Sequence, residues 1–170
     1  MINSPKLVKS VPDASWLPPG STAEVWVGAD IEAPEPAVIV RLLVRRETVS
    51  GSQLFCIQTP QGFDIPTVFL GSEGGWRAAA DGIAALTSEY LGKAASTRCI
   101  GFVRNLVPVP DETYHLPAPL AHVPVFVPRD PSLLPPEDAG TWISASDVPS
   151  LLPERHWWPI ACEALGWPQG

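Results

Sequence analysis

Proline is the feature that most constrains this chain, because 21 of its 170 residues are proline, about 12% against a usual share of about 5%. A proline inside a helix removes a backbone hydrogen bond and clashes with the preceding turn, so long uninterrupted helices are disfavoured. Four prolines lie within the first twenty residues, which predicts an extended, proline-rich arm over residues 1–20. Residues 21–170 are then expected to form a single domain.

Composition and charge limit the classes of partner. Hydrophobic residues make up 45% of the chain and charged residues 17%, which is too apolar for a disordered protein. The net charge of −7 disfavours a nucleic-acid polymer or an anionic membrane as partner, because both require a basic surface. A small nucleotide-like ligand remains compatible with this charge.

The cysteines and the N-terminal segment indicate the compartment. Cys56, Cys99 and Cys162 are odd in number, lie far apart and form no Cys-x-x-Cys pair, so the sequence predicts neither a disulfide framework nor a zinc site. The N-terminal segment lacks the apolar stretch of a signal peptide, and the sequence has no apolar run long enough for a membrane span. We therefore expect a reduced, cytoplasmic protein.

Segments rich in β-branched and aromatic residues, bounded by turn-forming residues, predict strands. They are residues 22–27, 37–44, 53–58, 63–70 with an interruption at Pro66, 99–107, 121–127 and 140–144. Arg41 and Arg45 are four residues apart, so the alternation of a strand would place both on one face.

The spacing of apolar residues changes to a helical period from Trp76 to Tyr90, and Gly92 is in the position of a left-handed cap. A second helical segment is expected over residues 154–166, with Pro159 near its first turn or at a kink. Strands, a central helix, more strands and a terminal helix predict an α/β (α+β) domain, in which helices cover both faces of a mixed sheet.

The strand, the Phe-Asp-Ile-Pro stretch, the glycine, the helix and its Glu-x-x-Gly ending together resemble the Nudix hydrolase superfamily. The family's box consists of a glycine, five residues, a glutamate, seven residues, and then Arg-Glu-apolar-x-Glu-Glu-x-Gly-apolar. Aligned on Gly71, the box continues without a gap to Gly92, and the resemblance covers about residues 24–165. It implies a Nudix-like α/β/α sandwich with a mixed β-sheet between helices.

This chain departs from the box, which spans residues 71–93, at most of its charged positions. The three helical glutamates of the family correspond to Leu86, Glu89 and Tyr90, so one carboxylate of the three is retained. Arg77 replaces the first box glutamate and Ala85 replaces the box arginine. The box is therefore degenerate, and binding of Mg²⁺ or Mn²⁺ in the family's geometry would be weakened.

The resemblance and the residues together yield a set of candidate site residues. Glu89 is the predicted catalytic carboxylate and metal ligand, with Asp81 as an additional oxygen ligand. Substrate phosphates would be held by arginines through forked hydrogen bonds, and the candidates are Arg41, Arg45, Arg77 and Arg104. For each of these side chains, a solvated position on the surface is the alternative interpretation.

Two functional hypotheses follow. In the first, the chain hydrolyses a nucleoside diphosphate linked to another moiety, with weakened or altered dependence on Mg²⁺ or Mn²⁺. In the second, it is a catalytically inactive Nudix-fold module for ligand binding or protein interaction, and its proline-rich arm and tryptophan-rich end are surfaces for a homodimer or another partner. An unrelated α+β domain with an accidental alignment to the box is a further alternative.

Overall fold

The computed structural model describes residues 4–169. Within them the strands are β1 Lys6–Pro12, β2 Thr22–Ile31, β3 Ile39–Leu42, β4 Arg45–Thr48, β5 Gly51–Thr59, β6 Gly62–Asp64, β7 Thr67–Phe69, β8 Gly71–Ser72, β9 Gly75–Trp76, β10 Thr97–Leu106, β11 Leu120–Pro128 and β12 Thr141–Ser144. The helices are α1 Ala79–Leu91 and α2 Trp158–Leu165. Neither helix has the length and hydrophobicity that crossing a membrane would require.

The strands form two main sheets. The larger has the order β1-β2-β10-β11-β3-β7, and it is mixed because β11 and β3 run parallel while its other neighbours are antiparallel. The smaller sheet has the order β12-β5-β4, with β6 paired to β5. A two-stranded hairpin of β8 and β9 precedes α1.

The two helices belong to two separate apolar clusters of the core. Helix α1 packs on β3 and β7, and α2 packs on β2, β10 and β5. On β10, Phe102 belongs to the cluster of α1 whereas its neighbour Val103 belongs to the cluster of α2. Because successive strand side chains point to opposite faces, the helices cover opposite faces of the larger sheet. The predicted α+β domain with a mixed sheet between helices is thus confirmed.

Helix α1 ends as predicted but begins later. Gly92 adopts a left-handed conformation with φ of 82° directly after the helix, as a C-terminal cap requires. The prediction that Trp76 belongs to the helix is wrong, because residues 71–76 form the β8–β9 hairpin and the Trp76 side chain is 44% exposed. The Trp76 ring contacts the edge of Phe69, with ring centroids 5.4 Å apart.

Two other predicted strands differ in the structure, since the first is shortened to β3 and the second is divided. Residues 37–44 do not continue as one strand to Arg45, because the chain leaves the larger sheet after β3 and enters the smaller sheet at β4. Leu43 and Val44 are both buried at this crossing, so Arg41 and Arg45 do not belong to one strand and strand alternation does not relate their side chains. Arg41 bonds to Asp64, the partner of Trp157, and Arg45 bonds to Ala164 of α2. Residues 63–70 divide at Pro66 into β6, which pairs with β5, and β7, which pairs with β3.

The N-terminal segment packs on the rest of the chain. Strand β1 pairs antiparallel with β2 and is the edge strand of the larger sheet. The Trp16 ring stacks on the His156 ring at a centroid distance of 4.2 Å. Of the arm predicted over residues 1–20, residues 1–3 lie outside the described residues, as does residue 170 of the predicted domain.

The three cysteines are buried free thiols. Burial raises the pKa of Cys56 to about 12 and the pKa values of Cys99 and Cys162 to about 11. These thiols therefore stay protonated and unreactive near neutral pH.

Candidate functional site

The face of α1 that corresponds to the family's carboxylates is occupied by packing side chains. Leu86 is 3% exposed and lies in the apolar cluster of α1 together with Phe55. Tyr90 is half-buried, and its ring meets Phe55 edge-on at a centroid distance of 5.9 Å. Phe55 in turn meets Trp142 of β12 edge-on at 5.4 Å. Two of the three carboxylate positions thus contribute to the core.

Glu89 and Asp81, the predicted metal ligands, are both exposed on α1. Burial raises the pKa of Tyr90, and the adjacent Glu89 carboxylate adds to this effect. Across residues 4–169, no three His, Cys, Asp or Glu side chains come close enough together to hold a metal ion. Among residues 4–169, Glu89 therefore belongs to no metal-binding group, and its catalytic role stays a prediction.

Each of the four arginines predicted to hold phosphate donates hydrogen bonds to a different acceptor in the fold. Arg41 donates to Asp64 and Thr67, Arg45 to the carbonyl oxygen of Ala164, Arg77 to the carbonyl oxygen of Phe69, and Arg104 to His122. They share no hydrogen-bond partner, so the structure does not join them in one phosphate clamp. Their individual roles in substrate binding stay predictions.

Asp64 of the Phe-Asp-Ile-Pro stretch, which is not among the predicted site residues, binds several side chains from distant parts of the chain. Its Oδ1 atom accepts hydrogen bonds from Trp157 Nε1 at 2.8 Å, from the Ile65 backbone N–H at 2.8 Å and from Arg41 Nη1 at 3.2 Å. Arg155 Nη1 lies 3.7 Å from Oδ2. Burial lowers the pKa of Arg41, and the charge and hydrogen bond of Asp64 act in the opposite direction. Asp64 thereby connects the two sheets to the segment that begins α2.

A second group of polar and aromatic side chains lies on the α1 face of the larger sheet, and we call it the Arg104 cluster. Its members are Glu24, Trp26, Phe102, Arg104 and His122. The strand register brings them together, because Arg104 of β10 pairs with Glu24 of β2 on one side and His122 of β11 on the other. Phe102 pairs with Trp26 one step along the same face.

The Arg104 cluster is held together by hydrogen bonds and by contacts between Arg104 and two aromatic rings. Arg104 Nε donates to His122 Nε2 at 3.0 Å, and Trp26 Nε1 donates to Glu24 Oε1 at 3.1 Å. The Arg104 guanidinium carbon lies 5.2 Å from the ring centroid of Trp26 and 5.3 Å from that of Phe102, within the range of cation–π attraction. The side chains of Arg104 and Glu24 are 28% and 18% exposed, so water and small solutes can reach them.

The architecture has a counterpart among solved structures. The chain is similar to the crystal structure of a mutant of the Bacillus subtilis pyrophosphohydrolase BsRppH, with a TM-score of 0.52 and 11% sequence identity over 94% of this chain and 96% of that chain. The fold is Nudix-like. No protein-family model matches the sequence, and no curated protein matches it.

Nudix-like folds that hydrolyse diphosphates use divalent cations. The question is therefore whether the oxygen ligands on the box helix of this chain could hold one. Mg²⁺ requires near-octahedral oxygen coordination, with clustered carboxylates as anchors. Here the box helix carries the carboxylates of Asp81, in its first turn, and Glu89, near its end, and they form no metal-binding group with other described residues. The Leu86 and Tyr90 positions present hydrocarbon and an aromatic ring to the interior. The described residues of this Nudix-like fold do not fit a divalent cation at the box.

His122 of the Arg104 cluster is neutral, with its proton on Nδ1. A guanidinium donates hydrogen bonds and cannot accept them, so Nε2 is the acceptor of the bond from Arg104. The Nδ1–H group then donates to the carbonyl oxygen of Pro36 at 3.1 Å. Burial lowers the pKa of His122, the Arg104 charge lowers it further, and the bond to Pro36 opposes both.

Acidification is expected to destabilise the protein through His122 and His156. Burial and neighbouring positive charges, among them Arg41, also lower the pKa of His156. The unfolded chain binds protons on these histidines more tightly than the folded chain does. The contribution of the two neutral histidines to the free energy of unfolding is therefore complete above pH 6.5, the ordinary histidine pKa. It is lost as the pH falls through their lower folded pKa values.

Urea unfolding between pH 8 and pH 5 measures this effect. His122→Gln keeps an acceptor for Arg104 but cannot titrate, so its stability should fall less on acidification than that of the wild type. His115→Gln is the control, because His115 is exposed. An equal pH dependence for His122→Gln and the wild type would contradict the assignment.

Proposed function

We propose that this chain is a ligand-binding module on a Nudix-like fold, which takes a small nucleotide-like anion without metal-dependent hydrolysis at the box helix. The observation that carries the proposal is the burial of Leu86 and the packing of Tyr90 on Phe55. In the resemblance, the corresponding positions are glutamates that hold the metal. Large hydrophobic groups there take up the space that a hydrated cation and its ligands would need.

The Arg104 cluster supports a nucleotide-like ligand. Trp26 offers an indole ring that is only half-buried, and indole rings stack well on flat heteroaromatic groups. Arg104 offers guanidinium N–H groups, which pair with phosphate oxygens in forked geometry. Its contact with Glu24 is 3.8 Å, longer than a hydrogen bond, so a phosphate can compete with Glu24 for these donors.

Hydrolysis of a nucleoside diphosphate linked to another moiety is the competing function, and it rests on Glu89. A single exposed carboxylate can accept a proton, but within residues 4–169 the fold gathers no group of carboxylates beside it to hold an attacking water and a cation. A ligand-binding module needs no such group of carboxylates, so it agrees better with the surroundings of Glu89.

One experiment separates the two functions. The full chain is incubated with a panel of nucleoside diphosphate derivatives and Mg²⁺ or Mn²⁺, and the release of phosphate and nucleotide is followed for the wild type and Glu89→Gln. We expect turnover to stay at the level of the buffer blank for both proteins. Metal-dependent turnover that disappears in Glu89→Gln would establish the hydrolase and overturn the module.

Binding is measured on the same panel by calorimetry. Arg104→Gln should weaken the affinity for the tightest ligand by about tenfold or more, since charge-assisted hydrogen bonds of this kind contribute about 1.5–3 kcal/mol. Lys93→Gln, at an exposed position after α1, removes the same charge and should leave the affinity unchanged. Equal affinities for Arg104→Gln and the wild type would remove the Arg104 cluster from the proposal.

A further inference from the structure

A cavity of about 590 Å³ opens on the α2 face of the larger sheet, at the end where β10 begins and β11 ends. Its volume is in the range of small-molecule sites, about 300–1,000 Å³. Val27, Ile100 and Ile160 form part of its wall, and all three belong to the apolar cluster of α2. The Arg104 cluster lies on the opposite face, so the cavity is a separate place in the molecule.

The cavity collects positive charge in an acidic protein. Lys6, Arg45, Arg98 and Arg129 line it, and Glu163 is the acidic side chain of the lining. The chain has 11 lysines and arginines in total and a net charge of −7. Four cations from four separate segments of the chain lie at one cavity and produce a local field that favours an anion.

Two of these cations are fixed in place without a carboxylate partner. Arg45 Nη1 donates to the carbonyl oxygen of Ala164 at 2.6 Å, and Arg98 Nη1 donates to the carbonyl oxygen of Ala29. Neither arginine forms an ion pair with any residue in the described range 4–169. A guanidinium has five N–H groups, so each retains donors beyond its backbone anchor.

The remaining two cations differ in their surroundings. Arg129 Nη1 pairs with Asp30 at 2.9 Å, which offsets part of its charge. Lys6 lies exposed at the start of β1, where its flexible side chain can approach a bound group from the edge of the sheet. The net charge of the cavity lining stays positive.

We propose that this cavity is a second binding site, which takes a phosphorylated small molecule. The phosphate would be bound by Arg45 and Arg98 in forked geometry, because their backbone anchors orient the guanidinium groups before the ligand arrives. The organic part would lie along the apolar wall of Val27, Ile100 and Ile160. This site does not depend on the nucleotide-like ligand proposed for the Arg104 cluster.

Inorganic pyrophosphate is the probe, titrated calorimetrically into the full chain at low ionic strength. Lys6→Gln and Lys9→Gln make a matched pair, because both lysines are exposed on β1 but Lys6 lines this cavity and Lys9 does not. We expect Lys6→Gln to weaken binding by about threefold or more and Arg98→Gln by about tenfold or more, with no change for Lys9→Gln. Equal losses for the two lysine variants would mean diffuse charge attraction and would overturn the site.

Glu163→Gln is the variant whose result cannot come from misfolding. Removal of this carboxylate should tighten pyrophosphate binding by about threefold, because its repulsion of the anion at the cavity is lost. The absence of saturable binding to the wild type at millimolar pyrophosphate would overturn the proposal. Loss of pyrophosphate binding in Arg104→Gln but not in Arg98→Gln would mean that the anion binds on the α1 face. That result would also overturn the proposed cavity site.

Discussion

Asp64→Ala is expected to lower the free energy of unfolding by about 3 kcal/mol, because it removes one partner of a partly buried charged pair and the acceptor of a buried indole. The side chains of Arg41 and Asp64 are only 16% and 14% exposed. Without the carboxylate, the Arg41 guanidinium would keep its bond to Thr67 but lose its counter-charge. Burial already acts against the charged form of Arg41, so solvent offsets only part of this loss.

The indole of Trp157 adds to the effect. Trp157 is completely buried, and its Nε1–H group donates to Asp64 at 2.8 Å. A buried donor that loses its acceptor has no water to replace it, which costs about 1–3 kcal/mol by itself. Asp64→Asn retains the carbonyl oxygen as an acceptor for Trp157, so we expect it to be less destabilising than Asp64→Ala.

Urea denaturation of the three proteins measures the difference, with Asp138→Ala as a control. Asp138 is exposed, so its replacement should change the stability by no more than about 0.5 kcal/mol. If Asp64→Ala stays within about 1 kcal/mol of the wild type, Asp64 does not join the sheets to α2 in the way described.

Elements with strong local signals could be predicted from the sequence. The predicted strands over residues 53–58, 99–107 and 121–127 correspond to β5, β10 and β11, because each is rich in β-branched, aromatic and other apolar residues and is bounded by turn or loop residues. The end of α1 at Gly92 follows from a glycine that can adopt positive φ without strain. These signals depend only on neighbouring residues.

Features that depend on distant pairing could not be predicted. The crossing at Leu43 and Val44 is apolar throughout, so the local pattern gives no sign that the chain changes sheets there. The sequence identifies Arg104 as a candidate phosphate-binding residue by its charge alone. Its partners follow from the register of three strands that are distant in sequence. The bond between Asp64 and Trp157 spans 93 residues, and only the assembled fold brings these side chains together.

Restoring the box glutamate by Leu86→Glu is expected to destabilise the fold by about 3 kcal/mol or more. The substitution removes an apolar side chain from the core and places an ionisable group where no polar partner exists among the neighbouring residues Phe55, Leu70 and Ile83. Ala85→Glu is the matched control on the same helix, because Ala85 is exposed. We expect the control to remain within about 0.5 kcal/mol of the wild type.

The pH dependence of Leu86→Glu identifies the cause of its instability. Burial favours the neutral carboxylic acid, so the folded pKa of the introduced glutamate should lie above its unfolded value of about 4.3. The folded protein then binds this proton more tightly than the unfolded chain, and stability relative to the wild type falls as the pH rises through that interval. Urea unfolding at pH 4.5 and pH 8 should therefore give a larger deficit at pH 8.

A different result for Leu86→Glu would change the functional conclusion. If the variant is as stable as the wild type at both pH values, the carboxylate reaches solvent and the α1 face is an open cleft rather than a packed core. The introduced carboxylate and Glu89 would then face a common space, and the double variant Leu86→Glu/Tyr90→Glu should bind Mn²⁺ in an electron paramagnetic resonance titration. Destabilisation without Mn²⁺ binding, the result we expect, means that the remodelled core itself, and not only the missing carboxylates, separates this chain from metal-dependent hydrolysis.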